Sequence, residues 1–180
     1  PSWLPTFGGP LGIDGQVWCL TVFDDGNGPA LYAGGDFANA GGVLVNRVAK
    51  WDGWSWSALS SGLDDAASAL AVFDDGGGPA LYAGGFFTVA GGIAANHIAK
   101  WNGSSWSALG SGVNNTVWAL TVFDDGSGPA LYAGGEFTTA GGVPAAYFRV
   151  GGRTFDRQDP LGRMTFQGAQ HLQTLGALTD

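Results

Sequence analysis

Positive charge is scarce in this chain. Only seven of its 180 residues are Lys or Arg, against 15 Asp or Glu, giving a formal charge of −8 and a pI of about 4.3. Nucleic acids and anionic membranes are held by clustered cations, so neither is expected as a partner. Four of the seven basic residues (Arg149, Arg153, Arg157 and Arg163) lie at or beyond position 149, which marks the C-terminal segment as material of a different kind.

Cysteine is nearly absent too. A lone Cys19 excludes a disulfide within the chain and any cysteine-based metal cluster. It stands in "VWCLTVF", where related stretches carry Ala69 and Ala119, so it reads as a small buried thiol in place of alanine. No apolar run approaches the ~18 residues of a membrane span, and no membrane insertion is expected. Charged residues are only 12%, yet hydrophobic residues reach 45%, which does not fit disorder. The chain begins at Pro1 without Met, as a processed or trimmed protein would.

Glycine and tryptophan are abundant, with 33 Gly and eight Trp. Gly supplies the positive φ of tight turns and aromatics pack on pleated surfaces, so this composition suits many short strands. The order of the residues says more. "FDDGNGPALYAGGDFANAGG" (23–42) returns as "FDDGGGPALYAGGFFTVAGG" (73–92) and "FDDGSGPALYAGGEFTTAGG" (123–142). Ala69–Gly85 and Ala119–Gly135 differ at two of 17 positions. A 50-residue period is the mark of solenoids, propellers or arrays.

Each period is expected to hold four strands. They are "VWALTVF" (117–123), "ALYAGG" (130–135), "NHIAKW" (96–101) and "SSWSALG" (104–110), shown on the copies where each is clearest. "DDGSGP" reads as a turn, and Asp52-Gly53 and Asn102-Gly103 as two-residue type I′ hairpin turns. Four antiparallel strands in this length make one propeller-blade-sized sheet. The expected fold is therefore all-β, a β-propeller-like array of four-stranded antiparallel blades. About three repeats span 1–148 (1–50, 51–100 and 101–148), incomplete for a single-chain propeller of 4–8 blades. The N-terminal "SWLPTFGGPLGIDGQVW" (2–18) reads as a variant of "SWSALGSGVNNTVW" (105–118), and 149–180 as a non-repeat tail that supplies capping or assembly strands.

The unit "LYAGGxFTxAGGxxANxIAKWxGSSWSALGSGV" resembles the Kelch-like repeats of large secreted or surface bacterial proteins, and is similar to those of the fungal Rax2-type cell-polarity family. The resemblance covers about residues 13–148. In Kelch families a Gly pair ends the second strand of a blade, and Gly34-Gly35, Gly84-Gly85 and Gly134-Gly135 match it. The resemblance implies binding or scaffolding, in an extracellular or cell-surface setting, rather than an enzyme.

Two sets of residues are candidates for chemistry. The paired carboxylates Asp24/Asp25, Asp74/Asp75 and Asp124/Asp125 could serve Ca²⁺, which takes six to eight oxygens. The competing reading is structural, because an Asp before Gly accepts backbone N–H bonds within its own turn. A pair repeated in every copy does not suit the unique site of a glycosidase. Positions that differ between copies are the better ligand candidates: Asp36, Phe86 and Glu136 after the Gly pair, Asn39, Val89 and Thr139, Arg47 and His97, and Trp54 where the next copy has Ser104. His97 reads as an outward polar residue on a strand, and Trp51, Trp56, Trp101 and Trp106 as packing residues. No nucleophile–base arrangement or phosphate loop is found, and no cofactor is expected. The chain is expected to be non-catalytic, to form a homo-oligomer or filament through exposed blade edges, or alternatively to bind carbohydrate on Trp54, Phe86 and their counterparts, or to be part of a larger propeller protein.

Overall fold

The computed structural model describes residues 12–124, 126, 128–145, 148–150 and 172–174, the last two stretches by their backbone. The N-terminal variant of the repeat lies largely outside these residues, as does most of the tail.

The first repeat forms β1 (Gln16–Asp24), β2 (Pro29–Asp36), β3 (Asn39–Ala40), β4 (Val43–Leu44), β5 (Val48–Trp51) and β6 (Trp56–Ala58). The second forms β7 (Ala67–Asp74), β8 (Pro79–Gly85), β9 (Val89–Ala90), β10 (Ile93–Ala94), β11 (Ile98–Trp101) and β12 (Trp106–Ala108). The third forms β13 (Val117–Asp124), β14 (Pro129–Gly135), β15 (Thr139–Ala140), β16 (Val143–Pro144), β17 (Phe148–Val150) and β18 (Leu172–Thr174). Four strands of each set make one antiparallel sheet, in the orders β1-β2-β5-β6, β7-β8-β11-β12 and β13-β14-β17-β18. The remaining two pair as a small hairpin. The fold is all-β, with antiparallel sheets and none closed on itself.

Three local expectations change. Each repeat has six strands rather than four, because the loop after the Gly pair folds into its own two-residue hairpin. Asp52-Gly53 and Asn102-Gly103 are not two-residue I′ turns. Trp51 pairs with Trp56 and Trp101 with Trp106 across four-residue loops, where the glycines take positive φ and Asp52 and Asn102 do not. The Asp52 carboxylate accepts both the Trp54 and Ser55 amides at 2.8 Å, so its side chain builds the turn that a second left-handed residue would have built. His97 precedes its strand, at φ 63°, instead of lying on it.

The third sheet departs from the period. In the first two, Tyr32 lies opposite Lys50 and Tyr82 opposite Lys100. In the third, the pairing slips by one residue and sets Arg149 opposite Tyr132. The fourth strand, β18, comes from the tail.

The core lies between sheets more than within them. One cluster joins Phe23, Ala30 and Tyr32 of the first sheet to Ala67, Leu81 and Ala83 of the second. Another joins Phe73, Ala80 and Tyr82 of the second to Val117, Leu131 and Ala133 of the third. Each sheet thus has a leading face and a trailing face, and the alternation of side chains along β2 and β8 supplies both. The Gly pair makes these contacts feasible. A Cβ on Gly84 would stand 2.5 Å from Val117 Cγ1 and 3.4 Å from Leu120 Cδ1 of the next sheet. One on Gly85 would stand 2.1 Å from the Ala66 carbonyl oxygen, beside the bulge between Ala67 and Ala69. The first glycine therefore serves packing between sheets, and the second serves the ladder within one. Trp106 Nε1 ties the seam between the first two sheets by donating to the Leu59 carbonyl at 2.9 Å.

This gives an internal control. Gly84→Ala is expected to lower stability by about 1–3 kcal/mol through overpacking. Gly134→Ala, where nothing among the described residues lies within 4 Å of the new Cβ, is expected to stay within about 0.5 kcal/mol of the parent. Urea unfolding of both variants measures the difference.

Candidate functional site

Strand direction sorts the candidate residues to two opposite ends of the sheets. The Asp-Asp loops and the β5–β6 and β11–β12 turns gather at one end. The Gly pairs, the small hairpins and the starts of β1, β7 and β13 gather at the other. The registers Asp24↔Pro29 and Leu31↔Trp51 define the first end, and Gln16↔Asp36 the second.

At the Asp end the two carboxylates of the first two pairs have separate tasks. The first caps its own loop: Asp24 Oδ1 accepts the Gly26 and Gly28 amides at 2.9 Å, Asp74 does the same for Gly76 and Gly78, and Asp124 for Gly126 and Gly128. The second faces inward. Asp25 Oδ2 receives the Tyr32 hydroxyl at 3.1 Å and the Lys50 ammonium, and Asp75 Oδ2 receives Tyr82 at 2.9 Å and Lys100 at 2.6 Å. The Asp25 and Lys50 side chains are 6% and 18% exposed, so the pair is screened from water, and a lone charge there would be costly. Burial pushes the Asp25 and Asp75 carboxyls up, but the lysine, tyrosine and amide bonds outweigh it and hold both below the usual range. Burial and the neighbouring aspartates raise the Tyr32 and Tyr82 hydroxyls. Among the described residues no three Asp, Glu, His or Cys side chains converge as a cation site would require; Asp125 lies outside them. Trp54 stands on the β5–β6 turn at this end, 89% exposed.

At the Gly end the structure brings together residues from all three repeats. Phe86 lies between Trp18 and Trp118, with ring centroids 6.0 and 4.8 Å away in edge-on geometry. Both indoles are nearly half exposed, at 41% and 45%, and Trp18 Nε1 donates to Gln16 Oε1 at 3.0 Å. Asp36 forms an ion pair with Arg47 Nε at 3.4 Å, partly open to solvent and so of small energetic weight. Glu136 is exposed. His97 is half-buried, its Nδ1 3.3 Å from the Gly85 carbonyl. Its backbone joins the turn through the Phe87 and Gly85 bonds, so its left-handed φ is held from both sides. Asn39, Val89 and Thr139 begin the small hairpins and are pinned through their amides. Asp14 takes the Asn39 and Ala38 amides, Asp64 the Val89 and Thr88 amides, and Asn114 the Thr139 and Thr138 amides, all at 2.8–2.9 Å. These amides hold the Asp14 carboxyl low, and at Asp64 the same bonds overcome a burial cost. A shallow cleft of about 320 Å³ opens between the first two sheets here, lined by Asn46, Arg47, Ser61, Gly62, Asp64 and Val89 among others.

Phe86 and Trp54, expected to share a surface, are therefore at opposite ends. Asp36, Phe86, His97 and Glu136 share the Gly end. Trp18 and Trp118 were missed, although the signal was present: that position reads Trp, Ser68, Trp across the copies, the same kind of variation that singled out Asp36, Phe86 and Glu136. Trp51–Trp56 and Trp101–Trp106 are cross-strand ring pairs at 5.3 and 5.4 Å, as packing residues should be.

Compared with protein-family models, curated proteins and solved structures, the chain matches none.

The depressed carboxyls give stability a pH dependence. Their folded values lie below the ordinary aspartate value of 3.8, so their contribution is full above about pH 4 and is lost as pH falls through the lower folded values. Thermal melts are expected to be flat from neutrality to about pH 4 and to drop below it. In the double variant Asp75→Asn, Lys100→Met that drop is expected to be shallower. At the alkaline side the partly buried Cys19 thiol, pushed up to about 12 from 9.0 by desolvation, favours the folded state until the unfolded thiol ionises, so the same melts are expected to fall again as pH rises above about 9.

Proposed function

We propose that the chain is a non-catalytic module of a Kelch-like, β-propeller-type array, extracellular or at a cell surface, which acts by associating with itself through the uncovered faces of its terminal sheets. Three blades fall short of the 4–8 of a closed propeller. The observation that carries the reading is the contrast between equivalent residues. Phe23 and Phe73 are buried at 3% and 4%, covered by the sheet that follows, and Phe123 on the last complete strand pair is 58% exposed. At the other end Leu20 and Val22 are 58% and 61% exposed, although Leu70 and Val72 pack against the core. Apolar faces of this kind seek a cover, and β-strand proteins that leave them open associate.

Carbohydrate binding is the second reading, favoured by the half-exposed Trp18–Phe86–Trp118 cluster beside Asp36 and Glu136. Indole faces stack on sugar rings, and flanking carboxylates accept hydroxyl hydrogens.

Two measurements separate the readings. Light scattering across a size-exclusion peak is expected to give a mass above the 18.4 kDa of one chain, and a stable monomer at every concentration would sink the assembly reading. A glycan array is expected to show no specific hits. Hits lost in Trp118→Ala and kept in Trp54→Ala would instead establish a sugar site at the Gly end.

A further inference from the structure

The two uncovered faces are the two halves of one joint. The chain makes this joint twice internally, so its geometry is known. In the first seam a Cβ on Gly34 would lie 3.0 Å from Ala67 Cβ and 3.4 Å from Leu70 Cδ1. In the second the partners of Gly84 are Val117 and Leu120, as described above. Each seam therefore sets residues 17 and 20 of a sheet, counted by the 50-residue offset, onto the first glycine of the sheet before. On the first sheet those two residues are Val17 and Leu20, 41% and 58% exposed; their counterparts Ala67 and Val117 are fully buried. On the third sheet the glycine is Gly134, which has nothing within 4 Å among the described residues, whereas Gly34 and Gly84 each meet the next sheet. Ala119 opposite it and Phe123 farther along β13 are exposed, whereas their counterparts Ala69 and Phe73 are buried.

We infer that a second copy of this chain docks head to tail, with its Val17 and Leu20 on Gly134, Ala119 and Phe123 of the first, repeating the internal seam between chains. The inference rests on the self-association reading and names its interface. The occupant follows from shape. A protruding Val–Leu pair fits a hollow where glycine lacks a Cβ. Two protruding faces or two hollow faces do not fit each other. The contact is therefore heterologous, and every chain that uses one end keeps the other free, so growth runs to a closed ring or an open filament according to the rotation per joint.

A complementation experiment decides it. Leu20→Glu blocks the protruding end and Gly134→Glu the hollow end. Leu20 is 58% exposed and a Cβ on Gly134 would meet nothing within 4 Å among the described residues, and matching urea midpoints would verify that each variant folds. At about 100 μM, where micromolar contacts are populated, the wild type is expected above one chain mass and each variant alone at one chain mass. The equimolar mixture is expected at two chain masses and no higher, because one good end of each kind remains. A monomeric wild type would overturn self-association itself. An associating wild type with either variant unchanged, or with a mixture that stays monomeric, would overturn the head-to-tail pairing and leave self-association standing. Leu20→Ser with Ala119→Arg repeats the test if a first variant fails to fold.

Discussion

Contact between a branched side chain of one sheet and a glycine of the sheet before it governs this molecule. The strands are short, and a four-stranded sheet with β5, β6, β11 and β12 of three or four residues has too little area to bury both its faces by itself. A repeat of this size becomes stable only when its neighbour covers it. Because Gly34 and Gly84 carry no Cβ, Ala67 with Leu70 and Val117 with Leu120 can come close enough for dispersion contact over the whole seam. The buried aromatic residues follow from this. Tyr32 and Tyr82 are fully buried because the next sheet lies on them, and their hydroxyls then need Asp25 and Asp75, which in turn need Lys50 and Lys100.

From that seam the two ends of the sheets acquire different characters. At the Asp end nearly every polar group is engaged in holding the loops, and Trp54 is the feature that projects. At the Gly end the polar groups pin the small hairpins from below, and the residues after the Gly pair are free to differ. Asp36 with Arg47, Phe86 with its two indoles, and Glu136 occupy equivalent places with unlike chemistry. A fold that repeats its scaffold so closely can carry individuality only where the scaffold does not use the side chain.

How much could be read in advance depends on the range of the interaction. The four main strands were legible because their alternation, their Asp-Gly-Pro turns and the 50-residue period are local signals. The small hairpins were not, since a two-residue strand in "FTTAGG" has no periodicity to detect. The form of the Asp52-Gly53 turn escaped as well, because a side chain accepting two amides replaced the backbone conformation the dipeptide suggested. The split of roles within the first two Asp pairs was invisible too. Asp24 and Asp25 are adjacent in sequence, but one faces its own loop and the other a tyrosine and a lysine 7 and 25 residues away.

By itself the sequence determined the all-β class of structure and its 50-residue repeat, because period, turn chemistry and composition act over a few neighbouring residues. Only the tertiary structure decided that Trp18, Phe86 and Trp118 meet, that Phe86 and Trp54 do not, and that β17 and β18 complete the third sheet with a one-residue slip. It also decided which faces stay open. Burial is a property of what lies opposite a residue: Leu70 packs against the first sheet's core residues, and Leu20, at the equivalent place in the first sheet, is 58% exposed.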